Sequence, residues 1–358
     1  MRFQAIQILR FFCAAGVVIF HAVALLHEQS TDWIVVPWDQ LANWGVLFFF
    51  AISGFVLTHA LQKETVVRYL LLRILRIYPP FLCAIGIVLL FRLSYGITIQ
   101  RPQSWWSYLL LLPDGIGPHG FVLGGIEWTL KHEVFYYILL GLLWIWRSVN
   151  FVKIFLAILA VVIIVFSIHE PARATGTFPP PSLFLFSAMH LPFIAGAFAY
   201  LYRKHIRIER MRAGLVLVAL VGAYEFFLHT EVKYLCVALA GFLVLTQITA
   251  FEVDESRPFN RVLIGFGDGS YGLYLTHLAV QVTLLPNLVN QRYPLLFILL
   301  ILLATSLSIG LIYGSIEAAW YHWARRRVTF GRAILPQSVS SGRPDDYRAL
   351  QQAADEAH

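Results

Sequence analysis

Apolar runs long enough to cross a hydrocarbon layer recur along almost the whole chain, and they restrict it to one kind of fold. A lipid-spanning segment needs about 20 predominantly apolar residues and must satisfy its own backbone groups, so each run is expected to be a helix. The runs fall at 7–26, 44–61, 77–98, 127–146, 152–168, 183–202, 213–229, 233–251, 266–286 and 294–318. They predict an all-α, polytopic integral membrane protein with about ten transmembrane helices and both termini on one side. With 59% hydrophobic and 13% charged residues, and a mean hydropathy of +0.70, the chain carries about half the charge of an average soluble domain.

Basic residues set the orientation. Arg2, Arg10, Lys63, Arg68, Arg73, Arg76, Arg147, Lys153, the 203–212 cluster, Arg257, Arg261 and the arginines after residue 324 all fall on the side of the termini. The far side holds only Arg92, Arg101, Arg173, Lys233 and Arg292, with Lys131 inside a helix. Such a bias marks the cytoplasmic face, so both termini are expected in the cytoplasm. The net charge of +7 is then a membrane address, since no soluble basic face points to nucleic acid. Cys13, Cys83 and Cys236 lie in or beside apolar runs without paired spacing, which argues against a disulfide framework or a metal site.

The first run ends in His27, Glu28 and Gln29 without a small-residue cleavage site, so it is expected to stay in the mature protein. Residues 1–325 read as one transmembrane domain and 326–358 as a polar cytoplasmic tail. The segment from about 100 to 125, with Trp105 and Trp106, is too short to span and too apolar for water. It is expected to cap the outer face.

Within the first helix, Arg10 and His21 are eleven residues apart. At about 100° per residue they share one face, roughly 16 Å apart along the axis, with Ala14 and Val17 between them. Ionisable groups at membrane depth are functional candidates by default. In the third segment Arg73 and Arg76 share a face before Pro79 and Pro80, which suits either a topology signal or a phosphate clamp. Ser53 and Gly54 interrupt the second run and read as close helix packing.

The fourth span begins EWTLKHEVFYY, where Glu127 and Lys131 can pair at i, i+4. Glu133 has no such partner and must either find one on another helix, with His21 the candidate, or carry a raised pKa. His132 and His190 read as satisfied core histidines. In GFGDGSYGLYLTH, the residues Ser270, Tyr274 and His277 lie within about 60° of one another and form a polar stripe.

In this order, LRFFCAAGVVIFH, FFFAISGFVL, RILRIYP, WTLKHEVFYY and GDGSYGLYLTH resemble the membrane-bound acyltransferase-3 family. The resemblance is in particular to the stand-alone members of that family that O-acetylate extracellular polysaccharides. Arg10 with His21, Arg73 with Arg76, and Glu133 with Tyr136 match its motifs. Leu47 departs from it, since relatives often carry a polar residue there, and no esterase-like domain follows the last helix.

The resemblance implies transfer of an acyl group, usually acetyl, from cytoplasmic coenzyme A to a hydroxyl of a polysaccharide or lipid-linked oligosaccharide across the plasma (bacterial inner) membrane. Arg10, Arg73 and Arg76 would hold the phosphates, and the pantetheine arm would pass Ala14 and Val17. His21, oriented by Glu133, would take the acceptor proton, or form an acyl-histidine. Ser53, Trp128, Tyr136, Ser270, Tyr274 and His277 would line the cavity. Acyl-CoA is expected as a co-substrate, with no permanently bound cofactor and no metal. The competing class is a transporter or flippase of glycan precursors, which the absence of a clear inverted repeat disfavours.

Overall fold

The computed structural model describes residues 3–29, 38–95, 102, 104–113, 122–176, 178–205, 233–248 and 251–330, the side chains of 38–44 and 329–330 aside. The expected span at 213–229 and the tail from 331 lie outside the described residues. All regular structure among the described residues is helical. In order, the helices are α1 (Gln4–His27), α2 (Trp38–Leu61), α3 (Val66–Ser94), the short α4 (Trp105–Leu109), α5 (Glu127–Leu143), α6 (Val149–His169) and the short α7 (Pro171–Ala174). They continue with α8 (His190–Tyr202), α9 (Lys233–Ile248), α10 (Pro258–Asp268), α11 (Ser270–Asn290) and α12 (Leu295–Phe330).

Five of these are long and apolar enough to cross a membrane, namely α1, α3, α6, α11 and α12. Their outward faces are apolar: Ile87, Leu90 and Leu93 on α3, Ile154, Ile158 and Ile168 on α6, and Leu300, Ile312 and Ile316 on α12 are all exposed. A belt of that composition would be an aggregation surface in water, whereas in lipid it is the solvated face. The chain is therefore an integral membrane protein.

Among the boundaries that differ from the expected ones, three have a local physical reason. The third helix begins at Val66 instead of 77 and runs straight through Pro79 and Pro80. The prolines remove two backbone donors, and tyrosines from other helices supply hydroxyls to nearby carbonyls. Tyr313 donates to the Pro80 carbonyl at 2.5 Å and Tyr271 to that of Ile77 at 3.3 Å. The sixth expected span, 183–202, shortens to α8, because a single 3-10 turn at Phe184–Phe186 and the extended Ser187 precede it. The ninth divides at Gly269 into the amphipathic α10 and the buried α11.

Helix α1 sits among α2, α10, α11 and α12, so both its ends and its middle meet partners. Small residues decide how closely the others cross. A Cβ on Gly54 would strike the backbone of Phe193, and one on Gly196 the backbone of Ala51, so α2 and α8 touch main chain to main chain. Gly269, Gly272 and Gly314 do the same for the meeting of α11 with α12.

The segment before α5 is tied down by Glu127, which is completely buried. Its Oε1 accepts from the Tyr108 hydroxyl at 2.5 Å and from the Leu123 amide at 2.8 Å, and its Oε2 accepts from the Gly125 amide at 3.0 Å. Gly124 and Gly125 have φ of 90° and 107°, values that only glycine adopts readily, and these let the chain wrap the carboxylate. Glu127 is thus fixed by the Tyr108 hydroxyl and two backbone amides. Glu127→Gln puts an amide donor against these donors and is expected to cost about 1.5–3 kcal/mol. Thermal unfolding in detergent reads this directly, and an unchanged midpoint would contradict the assignment.

Candidate active site

Two adjoining spaces lie among α1, α2, α3, α5, α10, α11 and α12. The larger is a vestibule of about 580 Å³, within the range of ligand-binding pockets. Arg10, Lys63, Arg68, Arg73, Arg76 and Arg325 line it, against the acids Glu64 and Asp268. Tyr321, His59 and His322 add aromatic surface. The smaller space is a chamber of about 60 Å³ lined by Val46, Phe49, Phe50, Ser53, Thr129, Glu133, Ser270 and Tyr274, among others. Arg10 and Arg76 line both, so they form the neck between them.

The neck is where charge is balanced most tightly. Arg76 forms an ion pair with Glu317, which is 5% exposed, and stacks over Tyr271 at 5.3 Å and Tyr321 at 5.1 Å. Arg10 donates to Gln7 at 3.4 Å and feels Arg76, Glu133, Glu317 and Asp268 as its charged neighbours. Arg73 lies over Tyr69 at 5.6 Å and Tyr137 at 6.0 Å, and its buried Nε has no hydrogen-bond partner among the described residues. A buried guanidinium donor left unmet is a place for an anion oxygen.

In the chamber, the hydroxyls of Thr129 and Tyr274 are 2.9 Å apart, and Phe49 packs against the Tyr274 ring. Ser270 donates to the Gly267 carbonyl at 2.7 Å. Glu133 accepts from the Tyr137 hydroxyl at 2.6 Å. The backbone of Tyr274 then leads to a pair of histidines. His277 Nδ1 is 2.6 Å from the Tyr274 carbonyl and its Nε2 is 3.2 Å from His21 Nδ1, which also lies 2.9 Å from the Val17 carbonyl. One turn further on, Gln281 donates to the Val18 carbonyl at 3.0 Å and locks α11 to α1.

The expected site residues therefore divide into three groups. Arg10, Arg73 and Arg76 stand in the vestibule or its neck, and Ser53, Glu133, Ser270 and Tyr274 line the chamber. His21 and His277 meet each other beyond Tyr274. Trp128 and Tyr136 line neither space: Tyr136 stacks on Phe193 at 3.5 Å and bonds His190 Nδ1 at 2.8 Å, and Trp128 packs edge-on against Phe50 and His132.

Two expected contacts are absent. No hydrogen bond or ion pair joins His21 to Glu133 among the described residues, because Glu133 faces Tyr137 and the neck while His21 faces α11. Ala14 and Val17 are fully buried, Ala14 with Val18 and Leu273 and Val17 in the main core. The face of α1 between Arg10 and His21 is thus filled, and the open path runs along α2 instead. His190 is satisfied at both nitrogens, by Tyr136 and by the Phe184 carbonyl, whereas His132 bonds Trp128 through Nδ1 and its Nε2 has no partner among the described residues.

Sequence inspection missed Glu317, Tyr321, Glu64 and Asp268. Glu317 had a signal available, as a single acid inside the last apolar run, SIEAAWYHW. Its distance of 241 residues from Arg76 hid the partner.

A sequence model described as an acyltransferase domain matches residues 3–314. No curated protein and no solved structure matches the chain.

Proposed function

Since the chain belongs to this acyltransferase domain family, which makes it a membrane acyltransferase, we propose that it transfers an acetyl group from cytoplasmic acetyl-coenzyme A to a hydroxyl of a polysaccharide or lipid-linked oligosaccharide. The observation that carries this reading is the basic vestibule joined through Arg10 and Arg76 to a chamber far smaller than itself. Coenzyme A has that division: a phosphorylated nucleotide head and a thin arm ending in a thioester. Guanidinium forks match phosphate oxygens, and the unmet Nε of Arg73 is one such donor. The chamber, at about 60 Å³ against about 580 Å³ for the vestibule, suits the narrow thioester end of the arm better than the nucleotide head.

In this reading the vestibule opens to the cytoplasm, the protein sits in the plasma (bacterial inner) membrane with about ten spans, and both termini are cytoplasmic. The acceptor oxygen attacks the thioester carbonyl carbon while His21 removes the hydroxyl proton. A C–O bond forms, the C–S bond breaks, and the proton passes to the departing thiolate as coenzyme A leaves. Glu133 balances the cations at the neck instead of touching His21.

Membranes containing the protein, incubated with acetyl-coenzyme A labelled in the acetyl group, are expected to place label in glycan. Label that crosses the membrane still attached to coenzyme A would instead make the protein a carrier. Arg73→Gln is expected to raise KM for acetyl-coenzyme A by about 10- to 100-fold with kcat little changed, the value of one charge-assisted hydrogen bond. An unchanged KM would remove Arg73 from the phosphate site.

A further inference from the structure

Resting on the acyl-transfer reading, we infer that His277 is the positioning residue of the reaction, holding the His21 ring so that Nε2 of His21 is the nitrogen that takes the acceptor proton. The argument is one of proton placement along a chain of contacts. A carbonyl oxygen only accepts, so the 2.6 Å contact between His277 Nδ1 and the Tyr274 carbonyl puts a hydrogen on that nitrogen. In an uncharged imidazole the other nitrogen then carries a lone pair, and His277 Nε2 is an acceptor. It faces His21 Nδ1 at 3.2 Å, so His21 Nδ1 must be the donor. The same hydrogen is shared with the Val17 carbonyl at 2.9 Å, which requires the same assignment. What remains on His21 is Nε2, with its lone pair unspent.

The two acceptors differ in what they can hold. Val17 lies four residues back on the helix of His21 itself, and its carbonyl follows α1 wherever it goes. His277 comes from α11, is completely buried and meets the His21 ring at 5.1 Å between centroids and 51° between planes. It is the contact that sets the ring against a second element. That element is itself immobilised: Gln281 bonds α1 one turn away, and Gly272 is packed on the backbone of Gly314. A catalytic base oriented by a third group that accepts its second ring hydrogen is the general logic of activated hydroxyl chemistry. When His21 takes the proton, His277 Nε2 also lies against the developing imidazolium as an acceptor.

The test compares His277→Leu, His277→Asn and His277→Gln at matched membrane abundance, measuring acetyl transfer and histidine-ring nitrogen NMR on selectively labelled protein. Leucine removes the acceptor, and the asparagine amide reaches only the Nδ1 position, toward Tyr274. The glutamine oxygen reaches the Nε2 position. Both Leu and Asn are expected to lower kcat on the order of 100-fold, the cost of a misplaced catalytic group, with KM for acetyl-coenzyme A unchanged. Gln is expected to restore most of it. In the unaltered protein His21 is expected to carry its hydrogen on Nδ1. Wild-type kcat in the Asn variant, a Gln variant no better than Asn, or an Nε2 hydrogen on His21 would each overturn the inference. None of these results depends on the acyl-transfer reading failing: that reading fails if the unaltered protein puts no label into glycan, whereas the nitrogen spectrum reports on the pair in either case.

Discussion

His21→Ala is expected to reduce acetyl transfer by about 10²- to 10⁴-fold, the usual contribution of a positioned general base. The loss should fall on kcat. His21 lies beyond the chamber, past Tyr274, and shares no surface with the vestibule where the phosphates are proposed to bind. Binding of acetyl-coenzyme A, measured by calorimetry on purified protein, should therefore stay close to wild type. The ring also makes packing contacts, edge-on to Phe20 at 5.1 Å, so abundance in the membrane is measured alongside activity. His21→Gln keeps volume and polarity and should be equally inactive, because an amide nitrogen has no basic lone pair. Activity within a factor of ten of wild type, at normal abundance, would assign the proton to another group.

The other large effect concerns folding. Gly54→Val or Gly196→Val is expected to abolish accumulation of folded protein. Each added Cβ would meet backbone atoms of the opposing helix, those of Phe193 for Gly54 and those of Ala51 for Gly196. A side chain can rotate away from a clash, but a helix backbone can only move as a body. Displacing α8 from α2 would also separate Ala51, Ile52 and Phe55 from Ala199 and Tyr200, which form one buried cluster. The combined penalty is expected to exceed about 4–5 kcal/mol, the range reserved for lost cores and overpacking. Gly86→Ala is the control. Nothing lies within 4 Å of a Cβ at that position in α3, so the change is expected to be neutral or stabilising by about 0.5–1 kcal/mol through helix propensity. Size-exclusion profiles of the detergent-extracted variants separate these outcomes, and a monodisperse Gly196→Val protein would refute the close crossing.

Much of this was legible in the residue order, and the parts that were not share a cause. Apolar length marked α1, α3, α6, α11 and α12, because the thickness of a bilayer is a length scale that a sequence window can count. Helical periodicity put Ser270, Tyr274 and His277 on one stripe; in the structure Ser270 and Tyr274 line the chamber, and His277 lies beyond them against His21. The same reading placed the start of α3 about three turns too late, at 77 instead of Val66, since local propensity reads Pro79 and Pro80 as a boundary. Tyr271 and Tyr313, nearly two hundred residues or more away, supply the hydroxyls near that stretch of backbone.

The chain by itself determined its membrane class, and it offered an expected sidedness and candidate polar faces on its helices, because those follow from counts and from the 3.6-residue repeat. Which faces meet was decided only by the tertiary structure. Periodicity offered Glu133 to His21 as a partner, and packing gave it His277 instead, with Glu133 turned to Tyr137. Arg76 found Glu317 in the same way, across 241 residues. In lipid no hydrophobic force sorts helices against one another, so close approach at Gly54, Gly196, Gly269 and Gly314 chooses the neighbours. The polar pairs are a consequence of that choice.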